Sequence, residues 1–219
     1  MDVSSLAYDP ELCALWVADE SSSIWLLAPD GSIVREIETG LGSAKTLAVE
    51  GDQLLVASGW GEFRRFDRLG RALGAPFGIS DALVDTEGLE VEPSGTILIA
   101  EDDPARILRL GPDGSVLLEI SGEQLNPPML EPQGVTRDPM SGHILVVDDM
   151  EGSDSLFEFT ADGELISVTP LGSFGMDAEA VAVNGQTGIL YVGFDSGRRL
   201  VAFDYIPSPH EGSAPLPQK

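Results

Sequence analysis

A short apolar phrase returns five times along the chain, as Leu6-Ala7-Tyr8-Asp9-Pro10, Leu47-Ala48-Val49-Glu50, Leu89-Glu90-Val91-Glu92-Pro93, Val135-Thr136-Arg137-Asp138-Pro139 and Val181-Ala182-Val183-Asn184. Its anchors, at positions 6, 47, 89, 135 and 181, are 41, 42, 46 and 46 residues apart. Behind each anchor stands a second apolar segment, at Leu15 to Ala18, Leu54 to Ala57, Ile97 to Ala100, Ile144 to Val147 and Leu190 to Gly193. A third follows at Ile24 to Leu27, Phe63 to Phe66, Ile107 to Leu110, Leu156 to Phe159 and Leu200 to Phe203. In the first four units a turn then precedes a fourth short stretch: Pro29-Asp30-Gly31, Arg68-Leu69-Gly70, Pro112-Asp113-Gly114 or Ala161-Asp162-Gly163. Asp-Gly between two β-type runs is a hairpin signal. Four short strands repeated at this period are the pattern of β-propeller blades, and nothing holds a sustained helical period.

The register predicts an all-β, five-bladed propeller over residues 1–205, with blades at about 4–44, 45–84, 85–130, 131–176 and 177–205. The last blade lacks its outer strand, because Ile206 to Lys219 carries four of the 15 prolines and reads as a tail. Two readings are open: a five-bladed ring closed without a shared blade, or a piece of a larger propeller.

With 219 residues, 42% of them hydrophobic, the chain can bury one core. Its formal charge of −25, from 37 acids against 12 bases, repels phosphate backbones and anionic headgroups. No nucleic-acid or membrane partner is expected, and no organic cofactor. Only Lys45 and Lys219 are lysines. An acid-rich, lysine-poor surface suits a salty habitat, and Arg-favouring codons on an ordinary acidic surface account for it equally well. The single cysteine, Cys13, excludes an intrachain disulfide framework and reads as small and partly buried. No apolar run is long enough to span a bilayer, and Met1 to Ser5 is not a leader, so a soluble chain of undetermined compartment is expected.

The unit from Gly134 to Asp149, with Leu156-Phe157-Glu158-Phe159 and Asp162-Gly163 behind it, resembles a blade of the NHL and gluconolactonase-like propellers. Asp85-Thr86-Glu87-Gly88-Leu89 and Asp177-Ala178-Glu179-Ala180-Val181 are similar, more narrowly, to blade starts of SdiA-regulated and phytase-esterase-like propeller domains. The resemblance implies the propeller scaffold. It also implies a choice among calcium-bound proteins, lactone hydrolases and non-enzymatic scaffolds. The Asn-Gly-Leu-Ala phrase that carries metal ligands in the lactone hydrolases does not occur in this chain.

The longer connections, Pro76 to Val84, Gly122 to Leu130 and Leu171 to Met176, all lie at blade starts, which makes that face the candidate site. Two residues before the anchors stand Ser4, Lys45, Glu87, Gln133 and Glu179; four before the later anchors stand Asp85, Glu131 and Asp177. The second segments end in Asp19-Glu20, Glu101-Asp102, Asp148-Asp149 and Asp195. Oxygen donors without thiol or imidazole suit Ca²⁺ before Mg²⁺, with Glu87, Gln133, Glu179, Asp85 and Asp177 as candidate ligands. The same acids could instead bond backbone amides at the turns, and Lys45 could form a central ion pair with Glu87 or Glu179.

Of the two histidines, His143 sits in a turn on the other face and His210 in the tail, which argues against a nucleophilic triad. Hydrolysis would need a metal-activated water with Glu87 or Glu179 as base. The expected function is a non-catalytic or cation-stabilised binding scaffold with an acidic pocket for a small molecule or protein. A metal-dependent esterase or lactonase-like hydrolase is the alternative. Lys45, Trp60, Asp102, Asp149 and Asp195 are the candidate binding rim of the acidic pocket, with Phe77 and Phe174 in loops of the same face; the competing explanation of these aromatics is a plug beneath the loops. Trp16 and Trp25 read as core. Arg64, Arg65, Arg68 and Arg71 could pair with local acids or dock on the acidic rim of a second copy in a salt-sensitive way.

Overall fold

The computed structural model describes residues 3–149 and 151–209. The tail beyond Pro209, with His210 and Lys219, and the first two residues lie outside them. Each blade is contiguous in sequence and pairs antiparallel in chain order. The first is β1 (Ser5–Asp9), β2 (Ala14–Ala18), β3 (Ser23–Leu27) and β4 (Ile33–Glu38). The second is β5 (Thr46–Glu50), β6 (Gln53–Ala57) and β7 (Phe63–Asp67). The third holds β8 (Gly88–Val91), β9 (Ile97–Asp102), β10 (Ala105–Leu110) and β11 (Val116–Ser121). The fourth holds β12 (Pro132–Arg137), β13 (Ile144–Asp148), β14 (Ser155–Phe159) and β15 (Leu165–Pro170). The fifth is β16 (Met176–Asn184), β17 (Ile189–Ser196) and β18 (Arg199–Asp204). A single 3-10 turn, Gly122–Gln124, is the helical content of the described residues.

The ring closes on itself. Inner strand β1 packs on β5, β5 on β8, β8 on β12, β12 on β16, and β16 on β1. Among the described residues no strand is shared across the junction. Instead Val3, Leu6 and Val17 pack against Ala180 and Ala182, and the Tyr8 and Tyr191 rings stack at 6.4 Å.

The two-residue period explains the apolar runs. A propeller sheet is covered on both faces, so its middle strands are apolar throughout while alternate residues serve different interfaces. In β2, Trp16 and Ala18 join the cluster with the second blade, whereas Leu15 and Val17 join the one with the fifth. In β13, Ile144 and Val146 pack toward the third blade, Leu145 and Val147 toward the fifth.

Three expectations are corrected. The second blade has no fourth strand: Gly70, Gly74 (φ +132°) and Pro76 interrupt it, leaving isolated bridges of Ala72 to Phe66 and Phe77 to Phe63. Trp25 is only partly buried, because alternation along β3 turns it away from the side that buries Ile24 and Leu26. Cys13 is exposed, in a turn where its own φ is +49°.

Just before each anchor stands a small residue: Ser5, Thr46, Gly88, Gly134 and Ala180. At this level neighbouring inner strands are in close contact. Ser5 Oγ and Thr46 Oγ1 are 3.0 Å apart, and a Cβ on Gly134 would lie 2.7 Å from the Val181 nitrogen. This narrow waist separates two mouths.

Candidate functional site

At the blade-start mouth the acids divide by role. Glu101 and Asp148, at the ends of β9 and β13, are fully buried. Glu101 Oε1 accepts the amides of Val84 (2.6 Å) and Asp85 (3.1 Å); Asp148 Oδ1 accepts those of Leu130 (2.9 Å) and Glu131 (2.8 Å). These two carboxylates fix the incoming blade-start loops, which is the structural alternative foreseen for strand-end acids. Of their sequence neighbours, Asp102 is partly buried, and Asp149, itself buried, accepts the amides of Glu151 (2.8 Å) and Gly152 (3.3 Å) at Oδ1.

The inner strands present one residue per blade here. Ser4 Oγ donates to the Lys45 carbonyl at 2.8 Å. Gln133 and Glu179 each lie in a β-bulge, between Pro132 and Val135 and between Ala178 and Ala180, the device by which a strand re-aims a side chain. Lys45 Nζ forms an ion pair with Glu87 Oε1 and stands 3.9 Å from Glu20. Burial presses the Lys45 ammonium down, but the Glu87 contact outweighs it and its pKa lies above the usual value. Glu87 is pushed up to about 7 by burial, with Asp102 and Asp85 adding to it against the pull of Lys45. Glu179 is pushed up to about 8 by burial, then by Asp149, Asp177, Glu87 and Asp195. Asp149 is raised to about 6, again chiefly by burial.

Of the five ligands expected from the sequence, Asp85 and Glu87 fall in one group of converging carboxylates and Asp177 in another, while Gln133 and Glu179 are in neither. Asp85, Glu87 and Asp102 form one and Asp149, Glu151 and Asp177 the other; within each, one oxygen per residue lies within 4.8 Å of the rest. Lys45 already supplies a cation to the first group. The second has no basic partner among the described residues, and Glu179 adds its field to it. Glu151 was not legible as a ligand in the sequence. Its signal is its place two residues after Asp149 in the loop that follows β13.

Trp60 is 82% exposed beside this mouth, so it does not plug the loops. Phe174 is half-exposed and meets Phe203 edge to face at 4.9 Å; Phe77 instead pairs with β7 and lies under Arg65. The arginines are engaged within the chain: Arg64 with the Thr39 carbonyl, Arg65 with Glu50, Arg68 with Asp9 and Glu11, Arg71 with Asp67. Docking on a second copy through them would have to exchange these pairs.

No protein-family model and no protein of curated function matches the chain. Solved structures do. Glutaminyl cyclase from Myxococcus xanthus superposes with a TM-score of 0.69 at 13% identity, over 93% of this chain and 92% of its own. A catalytically inactive virginiamycin B lyase from Staphylococcus aureus, solved with quinupristin, gives 0.53 at 15% identity over 95% and 71%. A protein of unknown function from Bacteroides caccae gives 0.50 at 18% identity over 85% and 70%. At these identities the likeness is one of fold, and the fold is a β-propeller.

Proposed function

We propose that the chain is a binding scaffold whose blade-start mouth is stabilised by a hard cation, Ca²⁺ in preference to Mg²⁺, held by Asp149, Glu151 and Asp177. The carrying observation is that these three carboxylates converge with no basic partner among the described residues. The donors are carboxylate oxygens alone, which suit a hard cation, and calcium accepts an irregular set of oxygens where magnesium demands a near-ideal octahedron. Lys45, Glu87, Gln133 and Trp60 then form the polar and aromatic surroundings for a small molecule or protein segment.

Calorimetry on chelator-treated protein at pH 7.5 should show calcium binding, with thermal stability rising as calcium exceeds its dissociation constant, by about 2.7 kcal/mol at a hundredfold excess. Asp177→Asn should abolish both. Asp177 has φ +68°, a conformation asparagine tolerates, so the loss would report the charge and not the backbone. No heat and no stabilisation would remove the cation from the reading.

A second reading rests on Glu87 near 7 and Glu179 near 8 at one mouth, where a carboxylate base and a neutral carboxylic acid coexist at neutral pH. This supports the metal-dependent esterase or lactonase-like hydrolase, in which Glu87 would accept a proton from the attacking water and Glu179 would protonate the leaving group. The Myxococcus neighbour bears the name glutaminyl cyclase, which puts a glutaminyl peptide among the substrates to be tried. Lactone, phosphoester and glutaminyl-peptide panels should show turnover that Glu87→Gln lowers by about 100-fold or more. A panel with no turnover leaves the scaffold.

A further inference from the structure

The opposite mouth, where the inner strands end, holds a cavity of about 780 Å³ that no sequence motif announces. All five inner strands line it, through Tyr8, Val49, Val91, Arg137 and Val183, and most of its wall is apolar. The acids around it are already matched. Asp9 and Glu11 hold Arg68 (2.6 and 2.9 Å), Glu50 holds Arg65, and Glu92 holds Arg109 (2.7 Å) and Arg137 (3.3 Å).

One acid in the cavity is not matched. The position just after each anchor reads Ala7, Ala48, Glu90, Thr136 and Ala182, so the register that three blades fill with a methyl group carries a carboxyl in the third. Glu90 lines the cavity, and its one hydrogen bond is a long one, from Thr136 Oγ1 at 3.4 Å. Among the described residues no base reaches it within ion-pair distance. A carboxyl placed so is costly as a structural element, since alanine serves the same register elsewhere. Set in an apolar cavity of ligand size, it is the kind of polar group that orients a bound molecule.

We propose that this second mouth binds a compact organic amine, with its apolar body in the cavity and its ammonium on the Glu90 carboxylate. An anionic ligand would have to draw Arg137 away from Glu92 and enter against a chain charge of −25. An amine meets a free acceptor and an attractive field.

Burial holds the Glu90 carboxyl at about 8, with Glu92 on the same strand reinforcing this and Thr136 and Arg137 on β12 opposing it. The other charged groups lining the cavity are Glu11 and Arg68, paired with each other, and Glu50, which is held by Arg65 from outside the lining; Tyr8 of β1 also faces it. Binding is therefore an exchange: neutral Glu90 and an ammonium form an ion pair, and the Glu90 proton leaves to solvent.

The test is calorimetric titration at pH 7 with benzylamine, benzyl alcohol and benzoate, in phosphate and in MOPS, whose ionisation enthalpies differ. Benzylamine should bind at least about tenfold more tightly than the alcohol, benzoate should not bind, and close to one proton should be released. Glu90→Gln should lower benzylamine affinity about tenfold or more and abolish the proton release. Glu90→Ala, which copies the alanine of three other blades, supplies a second variant expected to fold. Equal binding of amine and alcohol, or amine binding retained in both variants, would overturn the proposal. So would loss of amine binding on Asp177→Asn, which would put the amine at the other mouth.

Discussion

Gly88→Ala is expected to lower thermal stability by roughly 6–12 °C, the counterpart of about 3 kcal/mol in a domain of this size. A methyl group on Gly88 would run into the Gln133 carbonyl oxygen and stand 2.8 Å from the Val135 nitrogen and 3.0 Å from the Ala100 Cβ. Two of these neighbours are backbone of the next inner strand. They cannot turn away as a side chain could, so the third and fourth blades would have to part, and the ring carries the displacement to its other junctions. Gly134→Ala should behave similarly, meeting Val181 and Ala180 backbone. Gly42→Ala, with nothing within 4 Å, is the control and should leave the melting temperature unchanged or slightly higher. A Gly88→Ala protein that melts with the parent would show that the waist is not a tight contact.

Stability should peak at about pH 4 and fall on both sides, for two separate reasons. On the acid side the group is Glu158 of β14, which gathers Tyr205 Oη (2.7 Å), the Ser208 amide (3.0 Å), Ser167 Oγ (2.9 Å) and His143 Nδ1 (2.8 Å). Burial would raise this carboxyl, but the bonds from Ser208, His143 and Tyr205 outweigh it and hold it at about 2, against an ordinary value of 4.5. Its stabilisation is complete above the unfolded value and is lost as pH falls from 4.5 toward 2, on the order of 3 kcal/mol. On the alkaline side the sign reverses. Asp149, at about 6, Glu87, at about 7, and Glu90 and Glu179, at about 8, bind protons more tightly folded than unfolded, so stability is lost as pH rises from their ordinary values near 4 through those raised ones. Denaturant unfolding from pH 2 to 9 should trace this curve, and calcium should flatten its alkaline limb. Glu158→Gln should cost about 3 kcal/mol at pH 6 and erase much of the acid limb while leaving the alkaline one. A variant whose acid limb parallels the parent's would exclude Glu158 as its source.

The Glu158 cluster also fastens the chain after the fifth blade onto the fourth. His143 stands in a turn away from the blade-start mouth, and nothing near it in sequence points to Glu158. Its partner 15 residues later, on the adjacent third strand, is brought opposite only by the pairing of β13 with β14.

Repeat spacing, Asp-Gly turns and doubly covered apolar strands determined the propeller and its five blades, because all three follow from local backbone geometry and two-sided burial. They also placed Lys45, Glu87, Gln133 and Glu179 at one mouth, since equivalent positions in a ring must share a level. The tertiary structure decided what those residues do. Which acid faces Lys45, which pair of carboxylates holds loop amides and which group has no base beside it depend on contacts between blades, and no spacing along the chain encodes these. The second mouth shows the same division. Glu90 reads as an ordinary alternating residue until the ring sets it in a shared register with Ala7, Ala48, Thr136 and Ala182 and empties the space in front of it.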